Sequence, residues 1–176
     1  MLSGICTVGL CAALVLAFQQ APTRAPDIFF TPTRHVIADA MLALARVKPG
    51  DVVFDLGSGD GRIVILAAQK YGAAGVGIEI DPRLVRISRE VAREGAVDDR
   101  VAFMEGDLFT ADISQATVVT LYLNRSTNLR LLPKLKQQLR AGTRIVSHQF
   151  PIGSWQPDKT IVVEGVELFL WTVPEA

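Results

Sequence analysis

A chain of 176 residues carries 18 Lys plus Arg against 18 Asp plus Glu, for a formal net charge of zero. That length suits about one domain burying roughly 70% of its unfolded surface, and the balanced charge supplies no bulk basic field to grip nucleic-acid phosphates. The two cysteines, Cys6 and Cys11, lie in an apolar leader, and His35 and His148 are the only histidines, so the rest offers no disulfide, thiol nucleophile, zinc knuckle or histidine metal cluster.

The leader comes first. Leu2 to Phe18 holds no charged side chain, a run of about 17 residues that is short for a bilayer span and long for a signal-peptide core. No Lys or Arg precedes it, while Arg24, Arg34, Arg46 and Lys48 follow. An uncleaved anchor would therefore leave the C-terminal domain in the cytoplasm. The small-residue pattern Val15-Leu16-Ala17 keeps signal cleavage and export open. Residues 1–26 are expected to be leader and linker, and 27–176 one domain.

Beyond the linker, helix and strand alternate. Val36, Ile37, Ala40, Met41, Leu44 and Ala45 recur at helical spacing, predicting a helix over Thr33 to Val47 that Lys48-Pro49-Gly50 stops. Val52-Val53-Phe54 reads as a strand buried on both faces, closed by Asp55. Gly57, Gly59 and Gly61 then give a turn, and Ile63, Val64, Leu66 and Ala67 open a helix. Gly75 to Ile80 is the second strand. Asp81-Pro82 is an N-cap with proline at the first helical position, starting a helix that runs to Gly95. Strands are predicted at Val101 to Met104, Gln115 to Asn124 and Arg144 to His148, with a helix through Leu129, Leu132, Leu135 and Leu139 to Arg140 before the last of these. Thr160 to Val163 and Val166 to Val173, joined by Glu164-Gly165, read as a hairpin. The expected fold is α/β, Rossmann-like, a mostly parallel sheet ending in an antiparallel β-hairpin.

The chemistry concentrates in Asp55-Leu56-Gly57-Ser58-Gly59-Asp60-Gly61. Glycines let a ligand approach bare backbone beside free helix N–H groups. The spacing is not the dinucleotide Gly-x-Gly-x-x-Gly. A carboxylate at the strand end disfavours pyrophosphate and suits a ligand with positive charge or amino donors. S-adenosylmethionine (SAM), with a sulfonium, an amino group and no phosphate, meets that description. Glu79 ends the next strand about 20 residues on, the spacing of a residue that holds ribose hydroxyls.

Asp55 to Val64 resembles motif I of class I SAM-dependent methyltransferases, and more closely that of the ATP synthase c-subunit lysine methyltransferase family. The similarity extends over most of residues 29–173. Phe30-Thr31-Pro32-Thr33 looks like the family's pre-motif, and Gly77-Ile78-Glu79-Ile80-Asp81-Pro82 with Leu84-Val85 looks like its second motif. His148-Gln149-Phe150-Pro151 with Trp155-Gln156-Pro157-Asp158 looks like its C-terminal signature. A weaker similarity links the loop, Leu123-Asn124 and Arg144 to Ser147 with the non-SET nucleosomal histone lysine methyltransferases. Both families methylate protein lysine, so the resemblance implies a class I methyltransferase fold and a protein-lysine N-methyltransferase. A small-molecule O- or N-methyltransferase and a non-catalytic SAM-binding module are the alternatives. Tyr122-Leu123-Asn124-Arg125 departs from both families after the fourth strand and leaves the acceptor open. Asn124 is followed by Arg and Ser, so the Asn/Asp-Pro-Pro-Tyr/Phe motif of base-methylating enzymes is absent and no nucleic-acid partner is expected.

Cofactor contacts are expected from Thr31, Asp55, Gly57, Ser58, Gly59, Asp60, Gly61, Glu79, Ile80, Asp107, Leu108 and Asn124. Asp107 would accept from the adenine amine and the adjacent Leu108 N–H would donate to the adenine ring beside it, as in class I enzymes. Asn124 and Tyr122, with Thr31-Pro32, are placed at an acceptor channel as the catalytic candidates. No metal is required. The expected partner is a protein lysine side chain, and the chain is expected to act as a monomer, with membrane association through its leader.

Overall fold

The computed structural model describes residues 30–175. The apolar leader, its proposed anchor or signal role and the linker to Pro26 lie outside the described residues. Among the described residues, no helix is long and apolar enough to cross a membrane.

Helix α1 (His35–Leu44) precedes β1 (Val52–Leu56), α2 (Arg62–Tyr71), β2 (Ala74–Glu79), α3 (Pro82–Glu94) and β3 (Val101–Glu105); β4 (Val118–Leu121), α4 (Arg125–Gln138), β5 (Arg144–His148), β6 (Lys159–Val163) and β7 (Val166–Thr172) complete the chain. The seven strands form one sheet in the order β3-β2-β1-β4-β5-β7-β6. Strands β1 to β5 pair in parallel, which demands a crossover between successive strands, and helices supply most of them. β7 runs antiparallel to β5 and to β6. The β6–β7 turn is two residues, Glu164 and Gly165, both at positive φ (48° and 79°), the conformation that matches strand twist in a tight hairpin.

Successive residues of the central strands point to opposite faces, so the sheet buries two layers at once. Val53, Val118, Val146 and Leu168 pack with Ile37, Met41 and Leu42 of α1 and Leu66 and Ala67 of α2. Their neighbours Phe54, Val119, Ile145 and Phe169 pack on the other face with Leu131 and Leu135 of α4. Trp171, fully buried there, donates from Nε1 to the Trp155 carbonyl at 2.9 Å.

At the N-terminal edge, three strands are stitched together. Asp51 accepts from the Thr117 hydroxyl at 2.8 Å and pairs with Arg144, whose Nη1 also donates to the Ala45 carbonyl at 2.6 Å. Although burial raises it, the Asp51 carboxyl ends below its ordinary value, because Thr117, Arg144 and the Lys48 N–H all bind the charged form.

Several boundaries differ from the sequence expectation, and local geometry accounts for the main ones. Helix α1 ends at Leu44, short of Val47, because Arg46 takes a left-handed φ of 52° and the Val47 N–H folds back to the Leu42 carbonyl. β4 is shorter than Gln115 to Asn124 and α4 starts at Arg125, four residues earlier than Leu129, because Asn124 caps the helix. Pro133 sits inside α4 at an exposed position.

Candidate cofactor and acceptor site

The chain leaves β1 for β2 and β3 on one side, then returns to β4 on the other. A crevice opens where the strand order reverses, at the C-terminal ends of β1 and β4. A cleft of about 600 Å³ lies there.

The glycine loop forms its floor. Gly59 and Gly61 have φ of 56° and 80°. A Cβ on Gly59 would stand 2.3 Å from the Phe30 ring, and one on Gly61 would stand 2.6 Å from the Phe103 ring. Bare backbone is therefore needed at both positions for conformation and for space. The loop is also tied to the segment before α1. Arg62, in an ion pair with Asp60, donates from Nη1 to the Thr33 carbonyl at 2.8 Å.

Two acids frame the cleft. Glu79 is buried, and each of its carboxylate oxygens accepts one backbone N–H at 2.9 Å: from Gly59 on the loop and from Asp81 at the start of α3. Those bonds fix the carboxylate and leave lone pairs for a second donor such as a ribose hydroxyl. Asp55 is 3% exposed, and its Oδ1 accepts from the Thr120 hydroxyl at 2.7 Å. Burial pushes the Asp55 carboxyl up to about 7; Thr120 opposes the shift, while the negative charges of Glu79 and Asp60 add to it. A carboxylate destabilised in this way gains most from a cationic ligand.

Of the expected cofactor residues, Thr31, Asp55, Gly57, Ser58, Asp60, Glu79, Ile80, Asp107 and Leu108 line the cleft. Asp107 Oδ1 also accepts the Phe109 N–H at 2.8 Å, closing a tight turn. Tyr122 lines the cleft too. Gly59, Gly61 and Asn124 are not among the lining residues. Gly59 and Gly61 act through backbone, the first by its bond to Glu79 and the second as the residue before α2. Asn124 is the N-cap of α4: its Oδ1 accepts the Thr127 N–H at 2.8 Å and the Ser126 hydroxyl at 2.7 Å. Asn124→Ala should therefore cost about 1 kcal/mol of stability, read as a shift in the urea midpoint.

Sequence reasoning singles out only part of the lining; Phe30, Arg62 and Thr127 are among the lining residues it leaves out as site candidates. Thr127 had a findable signal, because Asn124 followed by a polar first turn is an N-cap pattern that brings the start of α4 to the end of β4.

The residues fit SAM. Ser58 Oγ is buried beside the cleft without a hydrogen-bond partner among the described residues. Together with the fixed Glu79 carboxylate and the poised Asp55, it offers a polar ligand one unmet bond and two acids, while the lining cations Arg62 and Arg83 are paired with Asp60 and Asp81. A parallel sheet with that site at its switch point defines a class I SAM-dependent methyltransferase.

The model of the ANTKMT methyltransferase domain matches residues 55–159, and the chain belongs to that family. The protein-lysine N-methyltransferase of Saccharolobus islandicus is 41% identical over 79% of this chain and 87% of its own length. The adenine nucleotide translocase lysine N-methyltransferase of Mus musculus is 32% identical over 94% of this chain and 71% of its own. Among solved structures, an RNA methyltransferase from Salinibacter ruber in complex with S-adenosylhomocysteine superposes with a TM-score of 0.82 and 56% identity, covering 83% of this chain and 95% of that one. The protein is a methyltransferase and its cofactor is SAM.

Proposed function

We propose that the protein methylates lysine side chains of a protein acceptor. The observation that carries this reading is the 41% identity to a protein-lysine N-methyltransferase across nearly the whole catalytic domain. When bound, SAM supplies a sulfonium methyl that the amine lone pair takes, the C–S bonding electrons staying on sulfur and the amine proton passing to water. The protein's share is to position the two partners and exclude solvent.

A second reading, methylation of RNA, is favoured by the Salinibacter ruber structure and its 56% identity. Two features weigh against it here: the formal net charge of zero, and Asn124-Arg125-Ser126 where base-methylating enzymes carry Asn/Asp-Pro-Pro-aromatic.

Incubation with tritiated SAM and separate protein and RNA fractions decides between them. Label is expected in protein, and it should vanish when acceptor lysines are blocked by acetylation, which leaves no basic amine to attack. Turnover should also rise with pH over roughly 7 to 9, because free lysine has a pKa near 10.4 and only its neutral form attacks. Label in RNA, or equal labelling of blocked protein, would overturn the lysine reading. Low-mass labelled products would indicate a small-molecule acceptor, and SAM binding without transfer a binding module.

For location, we infer an uncleaved N-terminal anchor with the catalytic domain in the cytoplasm, where SAM is made. The charge asymmetry around Leu2 to Phe18 supports it. A C-terminal reporter functional only in the cytoplasm should be active. A soluble mature chain starting near Phe18 outside the cytoplasm would refute it.

A further inference from the structure

We propose that His148, beside Tyr122 at the end of the cleft, is the hydrogen-bond acceptor that orients the incoming lysine amine. The inference rests on the lysine reading above and extends it to a residue.

The strand register brings the two rings together. Leu121 of β4 pairs with Ser147 of β5 in parallel, so the next residues of each chain, Tyr122 and His148, emerge side by side. Their ring centroids are 3.7 Å apart with planes inclined by 27°. Tyr122 lines the cleft, and His148, itself outside the lining, stands directly behind that ring.

The imidazole also has an unmet bond. His148 is 5% exposed, and its Nδ1 is buried without a hydrogen-bond partner among the described residues. Such atoms are rare in native proteins and call for an explanation. Asn128 Oδ1 is in the same condition. Asn128 follows Thr127, which lines the cleft, and is packed on the turn that carries His148. Both unmet atoms are able to accept, which suits a ligand that donates, and an amine donates.

The turn itself is held hard. Gln149 has a φ of 68°, a conformation that non-glycine residues adopt only under constraint. Ser147 Oγ donates to the Phe150 carbonyl at 2.6 Å, and Asn128 Nδ2 donates to that carbonyl at 2.9 Å and to Ser147 Oγ at 3.2 Å. These bonds fix the residues on both sides of the imidazole.

Charge completes the case. Burial, and then the positive charge of Arg34 in the segment before α1, lower the His148 pKa to about 4. The ring next to it is the tyrosine, the β7 residue paired with His148 is Leu168, and α4 presents the neutral Asn128. At physiological pH the imidazole is uncharged. It keeps a lone pair to offer and adds no repulsion to a site that gathers a sulfonium and an amine.

The test uses the full-length chain, tritiated SAM and a panel of synthetic peptides with one lysine each, the best-labelled peptide serving as acceptor. His148→Phe keeps a ring on Tyr122 and removes both nitrogens. Its kcat should fall about tenfold or more, the cost of one hydrogen bond to a charging group, while SAM affinity and Tm stay at wild-type values. His148→Asn restores an oxygen near the Nδ1 position and should recover kcat to at least about threefold above the Phe variant. Wild-type kcat in His148→Phe, or a kcat loss that tracks a fall in Tm without recovery in His148→Asn, would overturn the assignment while lysine labelling persists. If the wild-type chain labels no lysine peptide, the functional reading fails first and the role of His148 falls with it.

Discussion

Glu79→Ala should weaken SAM binding about a hundredfold or more, because two charge-assisted hydrogen bonds to ribose hydroxyls are worth about 1.5–3 kcal/mol each. The same substitution reaches beyond the ligand. The Gly59 and Asp81 N–H groups that Glu79 receives lose their acceptor, and a buried donor without a partner costs about 1–3 kcal/mol. The Ala variant should therefore also melt lower with no ligand present. Glu79→Gln separates the two effects, since its amide oxygen still serves one of the N–H groups while the charge is gone. It should recover part of the melting temperature but bind SAM well below wild type. Titration calorimetry showing wild-type affinity in either variant would remove Glu79 from the ribose role.

Asp55→Asn should stabilise the ligand-free domain at pH 8 while costing it cofactor affinity. The folded-state pKa of about 7 lies above the ordinary 3.8, so ionising Asp55 opposes folding. The Asp55 contribution to stability is greatest below pH 3.8, declines as pH rises towards 7 and levels off above. That gap corresponds to about 4 kcal/mol at about 1.4 kcal/mol per pH unit. Asparagine occupies the same volume and still accepts from Thr120, so the variant should gain on the order of that energy at pH 8 and little at pH 4, read from urea midpoints. Binding should show the converse. Wild-type affinity for SAM should weaken below pH 7 by up to about tenfold per pH unit, because a cation favours the carboxylate, and Asp55→Asn should bind weakly with no such slope. A wild-type affinity independent of pH between 5 and 8 would contradict it.

The parts legible in the chain alone were those that local chemistry determines. The strand–glycine–helix run from Val52 announced both the first crossover and the place of the cleft, and Glu79 was found by spacing because β2 must run beside β1 and end level with it. The His148 and Tyr122 stack was not legible: the two residues are far apart in the chain and meet only through the β4–β5 register. Arg62 was missed for the same reason. Its reach to the Thr33 carbonyl joins segments 29 residues apart. Asn124 shows the ambiguity of a polar residue after a strand, since one carboxamide suits both a channel wall and a helix cap, and only the backbone geometry of Arg125 to Thr127 tells them apart.

The bond network of Asp51, Thr117 and Arg144 sits at the edge of the sheet remote from the glycine loop, Tyr122 and His148. Descendants of such a chain are therefore free to vary the loops after β4 and β5 without loosening the tie that aligns the strands. Divergence in acceptor choice, from one protein target to another, needs no compensating change at that far pole.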